Sequence, residues 1–370
     1  MAFIWHPGSG IWHLFMNRVY NFNPGPATLP LSVLEKARDT FMEFGGMSIL
    51  EISHRSKEFS GIIERAEGLV REHFDLPDNY RVLFLQGGAT IHFGMVPLNL
   101  LKTQADFSVT GHWSKRAIEE AGHVGKTRVA FSDEENNFKR TPKSGELKFD
   151  DAADYFHITT NNTIFGTQYD EIPDAGNVPL VADMSSDILS QRIDVTKLAL
   201  IYAGAQKNLG PSGISLVVVR EDMLEKLPRD IPTMLTYRAH ASKKSLYNTP
   251  PTFTIYCLML VLEWIKETGG IDSVEKINRE KAQLIYDALD ASSLYEPHAD
   301  KDSRSLMNIT FRLSSDDLTG RFVEEAAKQE LVGLKGHRSV GGIRASVYNA
   351  FPIEGVKKLV EFMKEFERKA

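Results

Sequence analysis

A lysine stands directly after an apolar run, where a globular protein rarely places one. The run "LALIYAGA" (198–205) is typical of a buried strand, and Gln206 and Lys207 follow it. A lysine is seldom buried unless its charge is paired, so one interpretation is a side chain that extends to solvent. The small residues at the end of the run leave room for a ligand beside the amine. In a poorly solvated pocket that amine would be partly neutral and could form a Schiff base with a carbonyl.

Four other groups follow apolar runs in the same way. Ligands bind beyond the carboxyl ends of the strands in open α/β sheets, so we expect these groups at one rim. They are the glycine turn 87–90, Trp113, Thr163 and Asp183. Structural alternatives remain open: the glycines could form only a tight turn and Trp113 could pack in the core. Asp183 could cap a helix that begins in "ADMSSDIL".

Together these residue types fit a pyridoxal-phosphate site. A glycine turn before a helix can bind a phosphate through free backbone amides, and this turn matches neither common nucleotide-binding loop. Asp183 would keep the pyridine nitrogen of the cofactor protonated, an indole would stack on its ring, and Lys207 would bond its aldehyde. The sequence therefore predicts pyridoxal 5'-phosphate as the cofactor, and it assigns no metal ligands.

Seven short apolar runs are predicted to form a mostly parallel sheet with helices on both faces. The runs are rich in β-branched residues and are separated by amphipathic stretches, as in α/β proteins. They span residues 81–86, 107–111, 128–131, 155–160, 178–183, 198–205 and 213–222.

The C-terminal hundred residues have a different pattern. Residues 305–313 and 341–349 alternate apolar and polar side chains, which predicts half-solvated strands. Residues 353–366 repeat apolar positions at helical spacing. We therefore expect a smaller α+β domain at this end of the chain.

The expected division of the chain is into two domains and an extension. Gly269-Gly270 is the boundary signal between a large cofactor-binding domain at 16–270, whose N-terminal segment contributes to the substrate site, and a small domain at 271–370. Residues 1–15 are taken as an extension, natural or left from cloning, because Met16 is a more natural start. They have neither a basic n-region nor a continuous apolar h-region, so no secretory signal is predicted.

Composition argues against several classes of function. The chain has 370 residues with 43 Lys and Arg against 49 Asp and Glu, a net charge of −6, and no long basic run, so nucleic acid is not an expected partner. The single cysteine, Cys257, forbids an internal disulfide and fits a cytoplasmic location. It lies in the apolar run 253–265, which is too short to span a membrane and contains Glu263, so we expect a core helix.

Long motifs make the chain resemble a known family over residues 21–369. The motifs are "SILEISHRS", "FLQGGAT", "HITTNNTIFGTQ", "VADMSSDILS", "YAGAQKNLGPSG", "SLYNTPPTF" and "LKGHRSVGGIRASVYNA". The chain resembles the phosphoserine aminotransferase family, which are class V aminotransferases of the fold-type-I pyridoxal-phosphate enzymes. The resemblance implies a homodimer that exchanges the amino group between O-phospho-L-serine and 2-oxoglutarate in L-serine biosynthesis. Many bacterial members also act in pyridoxine biosynthesis, and the sequence leaves that role open.

The resemblance further implies how the cofactor is held. Lys207 bonds it as a Schiff base, Asp183 pairs with the ring nitrogen, and Trp113 stacks on the ring. The remaining implied contacts are polar: Thr163 to the ring oxygen side, Ala89, Thr90 and Gln206 at the phosphate, and Asn248 and Thr249 at the phosphate of the neighbouring subunit's cofactor.

The substrate contacts implied by the resemblance are cationic. Arg55 binds glutamate, and Arg344 holds the α-carboxylate. His54, His337 and Arg338 bind the substrate phosphate. Few positions depart from the family pattern. One is His92, where glutamine is common.

Other functions stay open at this point. An alanine–glyoxylate or serine–glyoxylate aminotransferase would keep the lysine and the aspartate but would have little use for two histidine–arginine pairs. A catalytically silent binder of phosphorylated ligands would need neither Lys207 nor Asp183. A cysteine desulfurase is rejected because Cys257 lies in an apolar helix pattern rather than on a mobile loop.

Overall fold

A computed structural model describes residues 18–143, 145–225 and 227–370. The extension predicted at residues 1–15 lies outside these ranges. The α-helices of the described residues are α1 (Leu31–Met42), α2 (Lys57–Phe74), α3 (Thr90–Leu100), α4 (His112–Gly122), α5 (Tyr237–Ser242), α6 (Thr252–Glu267), α7 (Gly270–Asp290), α8 (Asp316–Lys328) and α9 (Ile353–Lys369).

A seven-stranded sheet forms the centre of the large domain. In spatial order its strands are β2 (Tyr80–Gln86), β8 (Ile214–Arg220), β7 (Leu200–Gly204), β6 (Leu180–Asp183), β5 (Tyr155–Thr159), β3 (Gln104–Val109) and β4 (Lys126–Ser132). Each of the seven predicted runs overlaps one of these strands, because a nearly continuous apolar run is what burial on both faces requires.

The sheet is mostly parallel, as predicted. Strand β8 runs antiparallel to both of its neighbours, β2 and β7, and all the other neighbouring strands are parallel. Strand β2 therefore has the same direction as β3, β5, β6 and β7. The segments that follow these five strands leave the sheet at one edge, and the candidate site lies there.

Strand β3 begins three residues earlier than the apolar pattern predicts. Asp106 interrupts the pattern, yet its side chain is fully buried. Arg128 on the neighbouring strand β4 donates to both carboxylate oxygens, at 3.0 Å from Nε and 2.6 Å from a terminal nitrogen. The ion pair with Arg128 on the neighbouring strand stabilises the buried carboxylate. The pattern of residues within one strand cannot predict this pair.

Helices cover both faces of the sheet. One face packs mainly against α1, α2 and α6, and the other against α3 and α4. Helix α6 contains Cys257 and is buried on most sides, which confirms the predicted core helix. No helix in the described part of the chain is both long enough and apolar enough to cross a membrane.

The C-terminal region contains a small antiparallel sheet, as its alternating pattern predicts. Its order is β12 (Ile343–Ser346), β10 (Asn308–Arg312) and β9 (Glu296–Pro297), and helices α7, α8 and α9 pack around it. A separate parallel pair joins the two ends of the chain: β1 (Tyr20–Asn21) pairs with β11 (Leu331–Val332). Residues near the N-terminus therefore pack in the C-terminal hydrophobic cluster.

Helix α7 connects the hydrophobic clusters of the two regions. Its first turns place Ile271 and Val274 in a cluster of the large sheet, and its later turns place Ala282 and Ile285 in the C-terminal cluster. The Gly269-Gly270 pair does separate α6 from α7, since both glycines have positive φ. The domain boundary at residue 270 stays a prediction.

The burial of His92 makes stability depend on pH. Its ring is fully buried and lies 2.7 Å from Ser215 Oγ and 2.9 Å from the Tyr237 hydroxyl. Burial lowers its pKa to about 3, and the nearby charge of His240 adds to this. An unfolded histidine binds a proton near pH 6.5, so the unfolded chain holds one more proton between the two values. The free energy of unfolding therefore falls as pH decreases through this window.

His92→Gln should make unfolding less sensitive to acid, because glutamine binds no proton in either state. Between pH 6.5 and about 3, the slope of the free energy of unfolding against pH should decrease by roughly 1.4 kcal/mol per pH unit, measured by urea titration. Ser215→Ala is the control, since it removes a hydrogen bond but keeps the titrating group. An unchanged slope in His92→Gln would show that His92 does not titrate differently on folding.

Candidate active site

Lys207 lies in a turn that follows β7. The carbonyl of Ala205 accepts hydrogen bonds from the backbone of Leu209 and Gly210, which fixes the turn. Gly210 has φ of +149°, and an added Cβ would lie 3.5 Å from the backbone of Leu258 on α6. The turn thus packs directly on a core helix, and the lysine side chain is directed back across the strand ends.

The Lys207 amine is poorly solvated. Its Nζ donates a hydrogen bond to Thr163 Oγ1 at 2.8 Å. Burial is the main reason that its pKa is lowered to about 8. The negative charge of Asp183 raises the pKa in part, and the positive charge of Arg344 lowers it further. A sizeable fraction of the amine is therefore neutral near neutral pH, which a nucleophilic or basic amine requires.

Asp183 ends β6 and is 5% exposed. The backbone N–H and hydroxyl of Ser185 donate to Oδ1 at 2.9 and 2.6 Å. Burial raises the pKa of this carboxyl, and these hydrogen bonds oppose the rise. Among the described residues no hydrogen bond reaches Oδ2, which leaves that oxygen for a donor from a ligand.

The helix-cap alternative for Asp183 is wrong. Residues 185–189 form successive turns, and no α-helix begins there. The carboxylate stabilises the turn through Ser185 in the way that aspartate often does in loops. Its position at the strand end is therefore compatible with a ligand-binding role.

The glycine turn between β2 and α3 has the form of an anion site. Gly87 has φ of +103° and donates to the carbonyl of Gly213, and α3 begins at Thr90. Ala89 is the N-cap residue and supplies no side-chain cap. In the described ranges no group accepts from the backbone N–H of Ala89 or Thr90. Free amides at a helix N-terminus bind phosphate well.

Trp113 is held in the first turn of α4. Asn162 lies so close to Gly111 that a Cβ at that position would overlap its side-chain amide, and the same amide donates to the carbonyl of Thr110 at 2.7 Å. The Trp113 ring lies 6.5 Å from the Phe93 ring. Its Nε1 is buried and has no hydrogen-bond partner among the described residues.

These groups surround one cavity of about 320 Å³, a size that suits a small cofactor. Nine of the residues selected from the sequence line it: Ala89, Thr90, Trp113, Thr163, Asp183, Gln206, Lys207, His337 and Arg344. Arg344 comes from β12, and its terminal nitrogen donates to the carbonyl of Thr163 at 3.4 Å. The C-terminal region therefore forms one wall of the cavity.

The other five selected residues do not line this cavity. They are His54, Arg55, Arg338, Asn248 and Thr249. Arg55, Arg338 and Thr249 are exposed. Asn248 donates to Gln86 Oε1 at 2.9 Å, directly beside the glycine turn. Their predicted roles stay predictions.

Sequence reasoning from single residues missed several lining groups. Thr159 is the last residue of β5, and Ser185 follows β6 by two residues, so the strand-end rule could have found both. Pro24 and Gly25 lie over Lys207: an added Cβ on Gly25 would be 3.4 Å from Lys207 Cγ. The contact with Gly25 depends on the backbone hydrogen bond from Ala27 to Gln206, which no local pattern predicts.

The residues present fit pyridoxal phosphate. The hydroxyl of Thr159 and Nε1 of Trp113 are buried polar groups without partners among the described residues, as expected beside a polar ligand. The free amides at α3 suit its phosphate, Asp183 suits its ring nitrogen, and Lys207 suits its aldehyde. Among the described residues no group of histidine, cysteine, aspartate or glutamate side chains could hold a metal ion.

Comparisons with known proteins identify the family of this chain. The family model described as aminotransferase class-V matches residues 19–359. A phosphoserine aminotransferase of Desulfosudis oleivorans is 57% identical over 357 residues, which cover 95% of this chain and 98% of that protein.

Solved structures extend the comparison to the fold. That of phosphoserine aminotransferase from Bacillus circulans subsp. alkalophilus has a TM-score of 0.94 and 50% identity, over 95% of this chain and 99% of the other. The structure of PLP-bound phosphoserine aminotransferase from Trichomonas vaginalis has a TM-score of 0.90 and 36% identity, over 94% and 100% of the two chains. The fold class predicted from the sequence, that of the fold-type-I transferases, is confirmed.

Reduction with borohydride in the presence of pyridoxal phosphate should attach the cofactor to Lys207 alone. Peptide mapping by mass spectrometry would identify the modified lysine. Lys281 is the matched comparison, because burial lowers its pKa to about 7 but it does not line the cavity. Lys207→Ala should abolish both the attachment and turnover. Attachment to any other lysine in the wild type would contradict the assignment.

Proposed function

This chain belongs to the class V aminotransferases and, within them, to the phosphoserine aminotransferase family, and on that premise we propose its reaction. It converts O-phospho-L-serine and 2-oxoglutarate reversibly into 3-phosphohydroxypyruvate and L-glutamate. This is a reaction of L-serine biosynthesis. The observation that carries the proposal is the weakly basic Lys207 amine in the same cavity as the buried Asp183 carboxylate.

Lys207 moves the proton in this reaction. Bound pyridoxal phosphate supplies an electron sink for the negative charge that develops on the substrate α-carbon. A base with a pKa near the working pH is the most effective proton carrier, and a pKa of about 8 satisfies that condition. Thr163 orients the amine through the 2.8 Å hydrogen bond to Nζ.

Asp183, Trp113 and the glycine turn hold the cofactor. The Asp183 carboxylate would accept a hydrogen bond from the ring nitrogen and favour its protonated form. The Trp113 indole, which lines the cavity, would pack against the ring and keep water from it. Ala89 and Thr90 offer the phosphate two backbone amides at the N-terminus of α3, where the helix dipole favours negative charge.

The cavity wall formed by the C-terminal region favours an anionic substrate. Arg344 and His337 both line the cavity. Burial lowers the pKa of His337, and the positive charges of Arg344, His112 and Arg338 lower it further. The chain as a whole has a net charge of −6, so this concentration of cations is local. It suits a substrate that carries both a carboxylate and a phosphate, and it disfavours a glyoxylate-specific enzyme.

The active form is a homodimer in this proposal. Four apolar side chains of one segment are exposed: Phe41 at 42%, Met42 at 78%, Met47 at 48% and Leu50 at 51%. Other exposed large apolar side chains are scattered along the chain, whereas these four lie within ten residues of each other, and a concentration of this kind favours an interface. His54 and Arg55 follow the same segment, so a second copy that covers it brings them to an active-site mouth. Asn248 and Thr249, beside the glycine turn, complete the phosphate site of the neighbouring subunit.

Arg338→Ala should lower kcat/KM for O-phosphoserine by roughly 10- to 150-fold, because a hydrogen bond to a charged group contributes about 1.5–3 kcal/mol. Single-turnover kinetics would measure the O-phosphoserine and glutamate half-reactions separately. The rate of the glutamate half-reaction should decrease less than that of the O-phosphoserine half-reaction. Lys335→Ala, an exposed cation on the same segment, is the control. Equal kcat/KM of the wild type for O-phosphoserine and serine would reject the phosphate pocket and favour the glyoxylate-type reaction.

Two inactive subunits should restore activity when they are mixed. Lys207→Ala lacks the reactive amine, and the double variant Asn248→Ala/Thr249→Ala lacks the predicted contacts to the neighbouring cofactor. A heterodimer of the two contains one intact site. With random pairing at equal ratio, roughly half of the dimers are heterodimers, so activity should recover toward about a quarter of the wild-type value. Native mass spectrometry would verify exchange. No recovery after verified exchange would show that each site is built from one chain.

A further inference from the structure

Lys281 on α7 is a fully buried lysine outside the active-site cavity. Its Nζ lies 2.9 Å from the carbonyl oxygen of Val347, 2.6 Å from that of Tyr348 and 3.3 Å from that of Phe351. Its hydrogen bonds in the described residues go to backbone carbonyls, and none goes to a carboxylate. A buried lysine held only by carbonyls is rare, since its charge is not neutralised.

The carbonyls that Lys281 binds belong to one short segment, residues 347–351, which we call the strap. The strap follows β12 and crosses between α7 and the turn that contains Lys207. Its carbonyls point toward α7, and a lysine offers several N–H donors from one atom. An apolar side chain of the same length would leave these buried carbonyls without a donor.

The strap contacts the surroundings of Lys207 on two sides. The backbone N–H of Asn349 donates to Oδ1 of Asn208, the residue after Lys207, at 3.0 Å. The hydroxyl of Tyr348 donates to the carbonyl of Pro24 at 2.8 Å, and Pro24 lines the cavity. The strap therefore fixes both the turn that carries the reactive amine and the segment that covers it.

We infer that Lys281 is a positioning residue for Lys207, which it holds in place through the strap. The inference depends on the proposed function only in taking Lys207 as the reactive amine. If Lys281 had only a structural role, its loss would lower the stability of the protein and leave the environment of Lys207 unchanged. A positioning role requires in addition that loss of the Lys281 contacts changes the environment of Lys207.

The expected change has a definite sign. The charged groups that act on Lys207 are Asp183 and Asp187, which favour its protonation, and Arg344, which opposes it, while burial is the largest influence and lowers its pKa to about 8. A loosened strap admits water to the amine and weakens the effect of burial. The pKa of Lys207 should then rise toward its ordinary value of 10.5.

The experiment measures the pKa of Lys207 directly in the full-length apoenzyme. Lysines are labelled competitively with acetic anhydride between about pH 6 and 10, and the extent of modification of the Lys207 peptide is read by mass spectrometry. In Lys281→Met the pKa of Lys207 should rise by at least ~1, so that the neutral fraction near pH 7 falls about 10-fold. Bound substrate is not involved, so the result is independent of which amino acid the enzyme uses.

Two control variants on α7 separate positioning from stability. Lys276→Met removes an exposed lysine of the same helix, and Ile285→Ala removes buried volume from the C-terminal core. Neither should change the pKa of Lys207, even though Ile285→Ala lowers Tm. An equal rise in Ile285→Ala and Lys281→Met, or no rise in Lys281→Met, would overturn the inference.

A second variant tests the inference if Lys281→Met does not fold. Asn208→Ala keeps Lys281 and the strap but removes the hydrogen bond from Asn349. It should also raise the pKa of Lys207, and an unchanged value would overturn the inference. A wild-type Lys207 with an ordinary pKa would instead argue against the proposed function, which makes the two failures distinguishable.

Discussion

The structure is organised around the removal of one amine from water. In the proposed reaction Lys207 has to be partly neutral, and the sheet, the N-terminal segment and the C-terminal region each shield it from one side. The Thr163 hydroxyl, in the loop that follows β5, accepts a hydrogen bond from Nζ, and Asp183 at the end of β6 supplies the opposing charge. Both positions follow from the parallel direction of the strands, which brings their carboxyl ends to one edge.

The balance of charges at this edge is close. Burial lowers the pKa of Lys207 and raises the pKa of Asp183, and the charge of each group partly opposes the shift of the other. Arg344 shifts the balance toward the neutral amine. Because Arg344 lies on β12, the small sheet influences the basicity of a group on the large sheet, and the two regions form one chemical unit.

Much of this arrangement could be predicted from local patterns in the sequence. The strands of the large sheet are apolar runs with few interruptions, and polar residues at their ends could be assigned to one rim before any contact was known. The start of β3 was missed because Asp106 depends on Arg128 of the next strand. Lys281 has the same difficulty: in "EKINREKAQLIYDALD" it resembles an exposed helical lysine, and only the carbonyls of the strap explain its burial. His54 and Arg55 do not line the cavity of one chain, so their predicted roles stay predictions.

The pairing of β1 with β11 has a consequence for how the protein is made. Translation delivers the Lys207 turn, Thr163 and Asp183 well before residues 331–348. Pro24 is synthesised early, but two of the contacts around it need the end of the chain. Leu331–Val332 pairs with Tyr20–Asn21, and the Tyr348 hydroxyl donates to the carbonyl of Pro24. The N-terminal segment over the amine therefore gains its contacts with residues 331–348 only after that part of the chain has been made. A chain that ends before residue 331 contains Lys207, Thr163 and Asp183 but lacks both of these contacts.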